Sequence, residues 1–220
     1  MLAAPTGSAI LDIYGQGMAA GPADRAALLC AAGGGDADAL SIGDVDRTIW
    51  GWLTALFDGP QEAVMTCEEC GEGVEFALPA GFALPARSEL GDGLHVPYGG
   101  ARYPVRFPRL SDIRGGNLAR TALSKDAPWG DPAFEAAAQA ALLEADPALQ
   151  VDLKLECAAC GAVQVQPLDV AGFAWARIEQ AARRVVQEVA KLARAFGWSE
   201  AELTAMTPAR RAIWLAELGE

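Results

Sequence analysis

The chain is short of basic residues, of histidine and of long apolar stretches. Its 220 residues include 17 Lys and Arg against 29 Asp and Glu, a net charge of −12. Such an excess of negative charge repels a phosphate backbone and argues against nucleic acid as the main partner. No uncharged apolar run reaches the length of about 18 residues that a membrane-spanning helix needs. The opening "MLAAPTGSAILDIYGQ" lacks the basic start and long apolar core of a signal peptide, so we expect a cytoplasmic protein.

Residues suited to catalysis are also scarce. The single histidine, His95, stands in "DGLHVPYGG" with no evident serine or cysteine partner, and we interpret it as a polar loop residue. The glycine-rich stretches lack the strand and helix context of phosphate-binding loops. Acidic residues are scattered over predicted helix faces and hairpins, where solvation is their ordinary role. The sequence therefore predicts a protein that is not an enzyme and takes no small-molecule substrate.

Four of the five cysteines form two matched pairs. Cys67 and Cys70 lie in "TCEECGEG", and Cys157 and Cys160 lie in "ECAACGAV". Each pair stands between two short alternating stretches that predict strands, and each is followed at once by a glycine, which tolerates the positive φ of a tight turn. In a reducing cytoplasm, such pairs are more often metal ligands than disulfides. The fifth cysteine, Cys30, has an apolar helical context and is interpreted as a small buried hydrophobe.

The two pairs predict one structural zinc ion per chain, bound by Cys67, Cys70, Cys157 and Cys160. The 86 residues between Cys70 and Cys157 far exceed the loop of roughly 15–20 residues in a simple zinc ribbon. A redox-active pair would begin a helix in a thioredoxin-like setting, and neither pair does. Disulfide bonds are an alternative only if the protein leaves the cytoplasm. A catalytic zinc would keep a free coordination position, which four cysteines do not leave.

Stretches with helical spacing and stretches that alternate like strands both occur along the chain. They predict an α+β fold with a zinc-ribbon-like core formed by two C-x-x-C β-hairpins. Helices flank this core at both ends, and a long subdomain is inserted between the hairpins. The predicted segments are an N-terminal helical segment (1–60), the first zinc hairpin (61–78), an inserted α/β subdomain (79–148), the second zinc hairpin (149–169) and the C-terminal helices (170–220).

Capping residues predict where several helices begin. Asp44 is the candidate N-cap of "VDRTIWGWLTALF", Ser111 of "DIRGGNLARTALS" and Asp131 of the helix that runs to Pro147. Because its prolines lack backbone donors, the alternating stretch "ARYPVRFPR" predicts an edge strand. The range 170–196 predicts a long helix whose apolar seam, from Ile178 to Phe196, should pack on the ribbon core.

Aromatic and basic side chains in the C-terminal helices predict a surface for another protein. Six tryptophans are many for this length, and tryptophan and arginine are enriched in protein interfaces. The candidate contact residues are Trp175, Trp198, Arg210, Arg211 and Trp214.

The C-terminal third also carries a family resemblance. It reads strand, C-x-x-C-G, strand, the helix "FAWARIEQAARRVVQEVAKLARAF", and then "GWSEAELTAMTPARRAIWLAEL". This pattern resembles small proteins encoded beside the tail genes of contractile phages and phage-tail-like injection systems, which are related to the baseplate hub proteins of T-even phages. The segment "DRTIWGWLTALFDGPQEAVMTCEECGEGVEFAL" looks like the first half of the same family, and the likeness is weakest over 1–20 and 79–130. Departures are Phe196, where tyrosine is usual, and Ile213–Trp214, where an aromatic–aliphatic pair is common.

The resemblance implies a non-enzymatic role in building a baseplate, with other baseplate, hub or tail proteins as partners. The protein would then act in the cytoplasm during assembly or become part of the particle. The main alternative is a zinc-ribbon adaptor that binds nucleic acid or transcription machinery, which would require a contiguous basic face on the ribbon. A zinc hydrolase is the third class, and it needs the open ligand position that four cysteines do not provide.

Overall fold

The computed structural model describes residues 6–90, 94–116 and 118–219. The fold is mixed α and β, with helices at both ends of the chain and three separate two-stranded antiparallel sheets among the described residues. No helix in these ranges is both long and apolar enough to span a bilayer. The elements are α1 Gly7–Gly17, α2 Pro22–Ala32, α3 Ile42–Leu56, β1 Gln61–Thr66, β2 Gly73–Leu78, β3 Leu94–Tyr98, β4 Ala101–Val105, α4 Leu110–Arg114, α5 Pro132–Ala145, β5 Asp152–Glu156, β6 Val163–Pro167, α6 Val170–Phe196, α7 Glu200–Ala205 and α8 Pro208–Ala216.

The long helix α6 organises the main core. It begins where the Asp169 side chain accepts a hydrogen bond from the Gly172 N–H, and it ends at Gly197, whose φ of 70° is left-handed. Its bounds confirm the long helix that the sequence predicts. The apolar seam is buried mainly by helices: α1, α2, α3, α7 and α8 all pack against α6. The prediction that the ribbon core buries this seam is therefore wrong beyond the first turns of α6, because the N-terminal helices fold back onto it.

Helix α3 begins earlier than its sequence suggests. Ser41, not Asp44, is the N-cap, and its hydroxyl accepts from the Asp44 N–H at 3.3 Å. The Asp44 carboxylate instead forms ion pairs with Arg47 and Arg87. An aspartate in the first turn stabilises a helix through the macrodipole as well as through capping, so the residue type alone does not fix the boundary.

The inserted segment has a hydrophobic cluster of its own. The β3–β4 hairpin packs on α5 around Val96, Val105, Phe134 and Ala138, and the Asp131 carboxylate caps α5 as predicted. The insertion is also tied to α3, because Asp146 is fully buried and forms an ion pair with Arg47.

Two predictions within the insertion are wrong. His95 lies in β3, opposite Pro104, and not in a loop; the neighbouring Val96 is buried, which draws the segment into the sheet. Ser111 lies inside the short helix α4, where the Asp112 carboxylate accepts from the backbone N–H of Arg109. A strand is confirmed there as β4, but its edge position is only partial, because Val105 also forms an antiparallel bridge with Ala122.

Candidate metal centre

The two cysteine turns repeat one hydrogen-bond pattern. In the first, the Cys67 N–H donates to the Glu72 carbonyl at 2.8 Å and the Gly71 N–H donates to the Cys67 carbonyl at 2.9 Å. The second turn, between β5 and β6, has the same two bonds, from Cys157 N–H to Ala162 O at 2.9 Å and from Gly161 N–H to Cys157 O at 2.8 Å. Gly71 and Gly161 have φ of 77° and 74°, a conformation that glycine adopts at little cost.

The two turns bring four sulfur atoms together. All four Sγ atoms of Cys67, Cys70, Cys157 and Cys160 lie within 4.8 Å of one another, and theirs is the one such cluster of possible metal ligands in the described residues. The Sγ separations across the turns are 3.8 Å between Cys67 and Cys160 and 3.7 Å between Cys70 and Cys157. A disulfide requires about 2.05 Å, and all four thiols are free. The cluster therefore has the composition and the geometry to hold a metal ion.

Backbone amides and mutual proximity act on these thiols in opposite directions. The backbone N–H groups of Cys160 and Ala159 point at the Cys157 sulfur and lower the pKa of Cys157 to about 7. The backbone N–H of Glu72 also favours the Cys70 thiolate, but burial and the other three sulfurs outweigh it and raise the pKa of Cys70 to about 12. Four thiolates at these separations would repel one another, and a divalent cation bound between them would remove that repulsion.

Side chains around the sulfurs hold the two hairpins against each other. The Gln164 side-chain oxygen accepts from the Glu68 N–H at 3.3 Å, and the Gln166 amide donates to the Glu68 carboxylate at 2.6 Å. Cys67, Val74 and Cys157 form a small buried cluster, covered in part by Met65 and Leu155. Two segments that are far apart in sequence thus meet at one site. His95, in the β3–β4 sheet, is not a member of the cluster.

Two of the five predicted partner-binding residues lie inside the protein. Trp175 is 8% exposed and stacks on Tyr14 with 5.6 Å between ring centroids. Arg211 is 2% exposed, and it donates to Glu188 and to the Met206 carbonyl at 2.7 Å each. Their predicted place on a contact surface is therefore wrong, since α1 covers Trp175 and an internal ion pair holds Arg211.

The other three predicted contact residues, Trp198, Arg210 and Trp214, lie near the C-terminal end of α6. The rings of Phe196, Trp198 and Trp214 contact one another at centroid distances of 4.7–5.6 Å. Phe196 is 36% exposed, and Ile213, beside Trp214, is 64% exposed. We call the group formed by these four residues with Arg210 the C-terminal aromatic surface. Sequence reasoning placed Phe196 on the buried seam and did not single out Ile213; the i, i+3, i+4 spacing of Arg210, Ile213 and Trp214 was the available signal.

Sequence reasoning also missed a surface on the first cysteine hairpin. Residues 61–78 contain no lysine or arginine and have five exposed glutamates, a feature visible in the letters "EECGEGVE". We call this range the acidic hairpin. Its glutamates are Glu62, Glu68, Glu69, Glu72 and Glu75.

Comparison with known proteins identifies no relative of this chain. No family model, curated protein or solved structure matches it. The chain's own features that bear on function are the cysteine cluster, the C-terminal aromatic surface and the acidic hairpin.

Proposed function

We propose that this protein is a non-enzymatic structural or assembly component of the baseplate or hub of a contractile phage tail or phage-tail-like injection system. In this proposal a structural zinc ion, bound by Cys67, Cys70, Cys157 and Cys160, stabilises a zinc-ribbon-like core. The observation that carries it is the convergence of the two C-x-x-C-G turns on one point, in a chain whose C-terminal third resembles that family.

The sulfur geometry is compatible with a tetrahedral zinc ion. A tetrahedron with Zn–S bonds of about 2.3 Å has edges of about 3.8 Å, and the two cross-turn Sγ separations are 3.8 and 3.7 Å. Four thiolates complete the coordination of zinc and leave no position for a water molecule or a substrate. The same closed set of ligands favours a structural role over hydrolysis.

The charge around the cysteines argues against the nucleic-acid adaptor. That alternative requires a contiguous basic face on the ribbon. The first hairpin, 61–78, has five acidic residues and no basic ones, and the second, 149–169, has three acidic residues and one lysine. A phosphate backbone would be repelled from this end of the molecule. A protein partner is compatible with it.

The C-terminal aromatic surface supports a role in protein assembly. The "GWSEAEL" and "TPARR" motifs behind the family resemblance form α7 and α8, which begin at the N-caps Ser199 and Thr207. Their ends place Trp198, Trp214 and Arg210 around the exposed end of α6. Clustered aromatic side chains beside arginine are typical of the residues that dominate binding energy in interfaces.

Co-purification tests the proposal. Trp214→Ala combined with Arg210→Glu should fold and bind zinc, yet fail to co-purify with the tail proteins encoded at the same locus. The matched control is Arg102→Glu, an exposed arginine on β4, which should co-purify normally. If the wild type binds no tail protein, the function is wrong. If the double variant assembles normally while changes within 79–148 abolish assembly, the contact lies on the insertion.

A further inference from the structure

The four clustered sulfur atoms differ in their access to water. Cys67 and Cys157, the first cysteine of each turn, are both 1% exposed, whereas Cys70 and Cys160, the second of each, are exposed. A small oxidant dissolved in water therefore reaches Cys70 and Cys160 first. Because a metal-bound cysteine is a thiolate, and the thiolate is the form that reacts with peroxides, these two residues are the expected points of attack.

Each exposed sulfur has a buried sulfur of the other hairpin close to it. The Sγ atoms of Cys70 and Cys157 are 3.7 Å apart, and those of Cys160 and Cys67 are 3.8 Å apart. A disulfide bond of about 2.05 Å requires each pair to approach by less than about 2 Å. A sulfenic acid on an exposed cysteine condenses with a neighbouring thiol to form such a bond. The arrangement therefore favours disulfides that join one hairpin to the other.

Contacts that do not involve sulfur keep the two turns opposite each other. Phe76 and Leu153 pack on the main core at the ends of the hairpins away from the sulfurs. At the turns, the side chains of Gln164 and Gln166 form hydrogen bonds with Glu68. These contacts hold the sulfurs near one another while a first disulfide forms, and once that bond exists the hairpins can no longer separate.

We propose that hydrogen peroxide converts the metal centre into two disulfides that join the hairpins, Cys70–Cys157 and Cys67–Cys160, with release of the zinc ion. In each pair the exposed thiolate attacks the peroxide, the O–O bond breaks, and a sulfenic acid and a hydroxide ion form. The buried thiolate then attacks that sulfur and expels a second hydroxide. Two peroxide molecules thus accept the four electrons that the four thiolates lose.

The product is a link between the hairpins that outlasts the metal. Chelation should leave two hairpins with no bond between them, whereas peroxide should leave two that are covalently joined across the 86 residues between Cys70 and Cys157. A thiol reductant with added zinc should restore the original centre, since disulfides are reversible. The proposal rests on the zinc ion of the proposed function, but on no baseplate partner.

Peroxide treatment of the full-length, zinc-bound protein tests the proposal. It should release about one zinc ion per chain and reduce the five free thiols, counted after denaturation, to the single thiol of Cys30. Hydrogen exchange in 61–78 and 149–169 should stay slow after peroxide and become fast after chelation. Exchange that is equally fast after both treatments would show that no bond joins the hairpins.

Tryptic digestion without reduction locates the new bonds. Cleavage after lysine and arginine leaves Cys67 and Cys70 together in peptide 48–87 and the other two clustered cysteines together in peptide 155–177. After peroxide, mass spectrometry should find these two peptides as one linked species, which separates on reduction. Peptides that stay separate would place each disulfide within one turn and overturn the proposal.

Single serine variants identify the two partners of each bond. Cys70→Ser should still link the peptides, through Cys67 and Cys160, and the cysteine left for alkylation should be Cys157. Cys160→Ser should link them through Cys70 and Cys157, with Cys67 left. The matched control, Cys30→Ala, lies outside the cluster and should react like the wild type. A different cysteine left free in either variant would contradict the pairing.

Two further results would overturn the proposal: zinc that peroxide does not release, and clustered sulfurs that are oxidised to sulfinic or sulfonic acid instead of disulfides. A protein that binds zinc and co-purifies with tail proteins, yet gives no linked peptides, contradicts this inference alone. A purified protein without zinc contradicts the metal centre of the proposed function before any peroxide is added.

Discussion

At the residue scale, the neighbours Arg210 and Arg211 show how far one helical step separates two identical side chains. Arg210 is exposed on the face of α8 that bears Trp214. Arg211, about 100° around the helix, is buried against Glu188 and the Met206 carbonyl. The sequence suggests one basic spot for partners, because adjacency hides which arginine faces inward. The buried one links α8 to α6.

Because Arg211 is buried and Arg210 is exposed, substitution of each by alanine should change the free energy of unfolding by different amounts. Arg211→Ala leaves the Glu188 carboxylate without its cation, and we expect it to lower the free energy of unfolding by about 3 kcal/mol or more. Arg210→Ala should change it by less than about 0.5 kcal/mol. Urea unfolding of both variants, each with full zinc content, measures the difference. Equal losses would mean that Arg211 is not held as described.

At the element scale, helices and hairpins with strong local signals agree with the sequence. Asp131 begins α5, and α6 runs over its predicted range. Two elements differ from the prediction. β3 is a strand because Val96 is buried against α5, while Ser41 displaces Asp44 as the cap of α3. Local signals for both exist: Ser41 stands three residues before Asp44 as in a capping box, and Gly99–Gly100 is a two-residue hairpin turn between alternating stretches.

The packing of α1 on α6 depends on a contact that no periodicity shows. Gly17, the last residue of α1, is buried, and a Cβ there would overlap the ring of Trp175. The ring in turn stacks on Tyr14 and lies under Arg25. Glycine at this position lets the tryptophan fill the space between the helices, so Trp175 is part of the core and cannot serve as an interface anchor.

Two glycines of α1 predict opposite outcomes for one substitution. Gly17→Ala should destabilise the protein by about 1–3 kcal/mol, because the added methyl group overpacks the Trp175 site. Gly15→Ala has nothing within 4 Å of the new Cβ, and it should be neutral or stabilising by up to about 1 kcal/mol, since alanine favours the helix. Thermal and urea unfolding compare them. A destabilised Gly15→Ala beside a neutral Gly17→Ala would contradict this packing.

At the scale of the whole molecule, the sequence identifies the four clustered residues but not their surroundings. Repetition of the C-x-x-C-G pattern is a strong local signal, so the convergence of the four cysteines could be predicted across 86 intervening residues. The distribution of exposed charge could not be predicted. Arg194 and Arg211 are the same residue type in the sequence, and packing buries only Arg211. The acidic hairpin and the C-terminal aromatic surface can be recognised as exposed surfaces only in the folded chain.

The cysteine cluster is the link between segments that the backbone keeps far apart, whereas the main core is formed by helices. Ile49, Leu53 and Ile178 are fully buried in that core, and a chain of this length does not need a metal ion to form one. The hairpins contact that core at the ends away from the sulfurs, through Leu78, Phe76 and Leu153, but only a small buried cluster holds them together around the sulfurs. Their mutual order should therefore depend on the metal, and that of the helices should not.

Metal removal tests this division of the molecule. The purified protein should contain about one zinc ion per chain, and a strong chelator should release it. Hydrogen exchange should then accelerate together in 61–78 and 149–169, while the amides of α3 and α6 stay protected and the helical circular dichroism changes little. Cys157→Ser should reproduce this pattern without the chelator, and Cys30→Ala, outside the cluster, should bind zinc normally. Loss of protection in only the hairpin that carries the substitution would show that one ion does not join both turns.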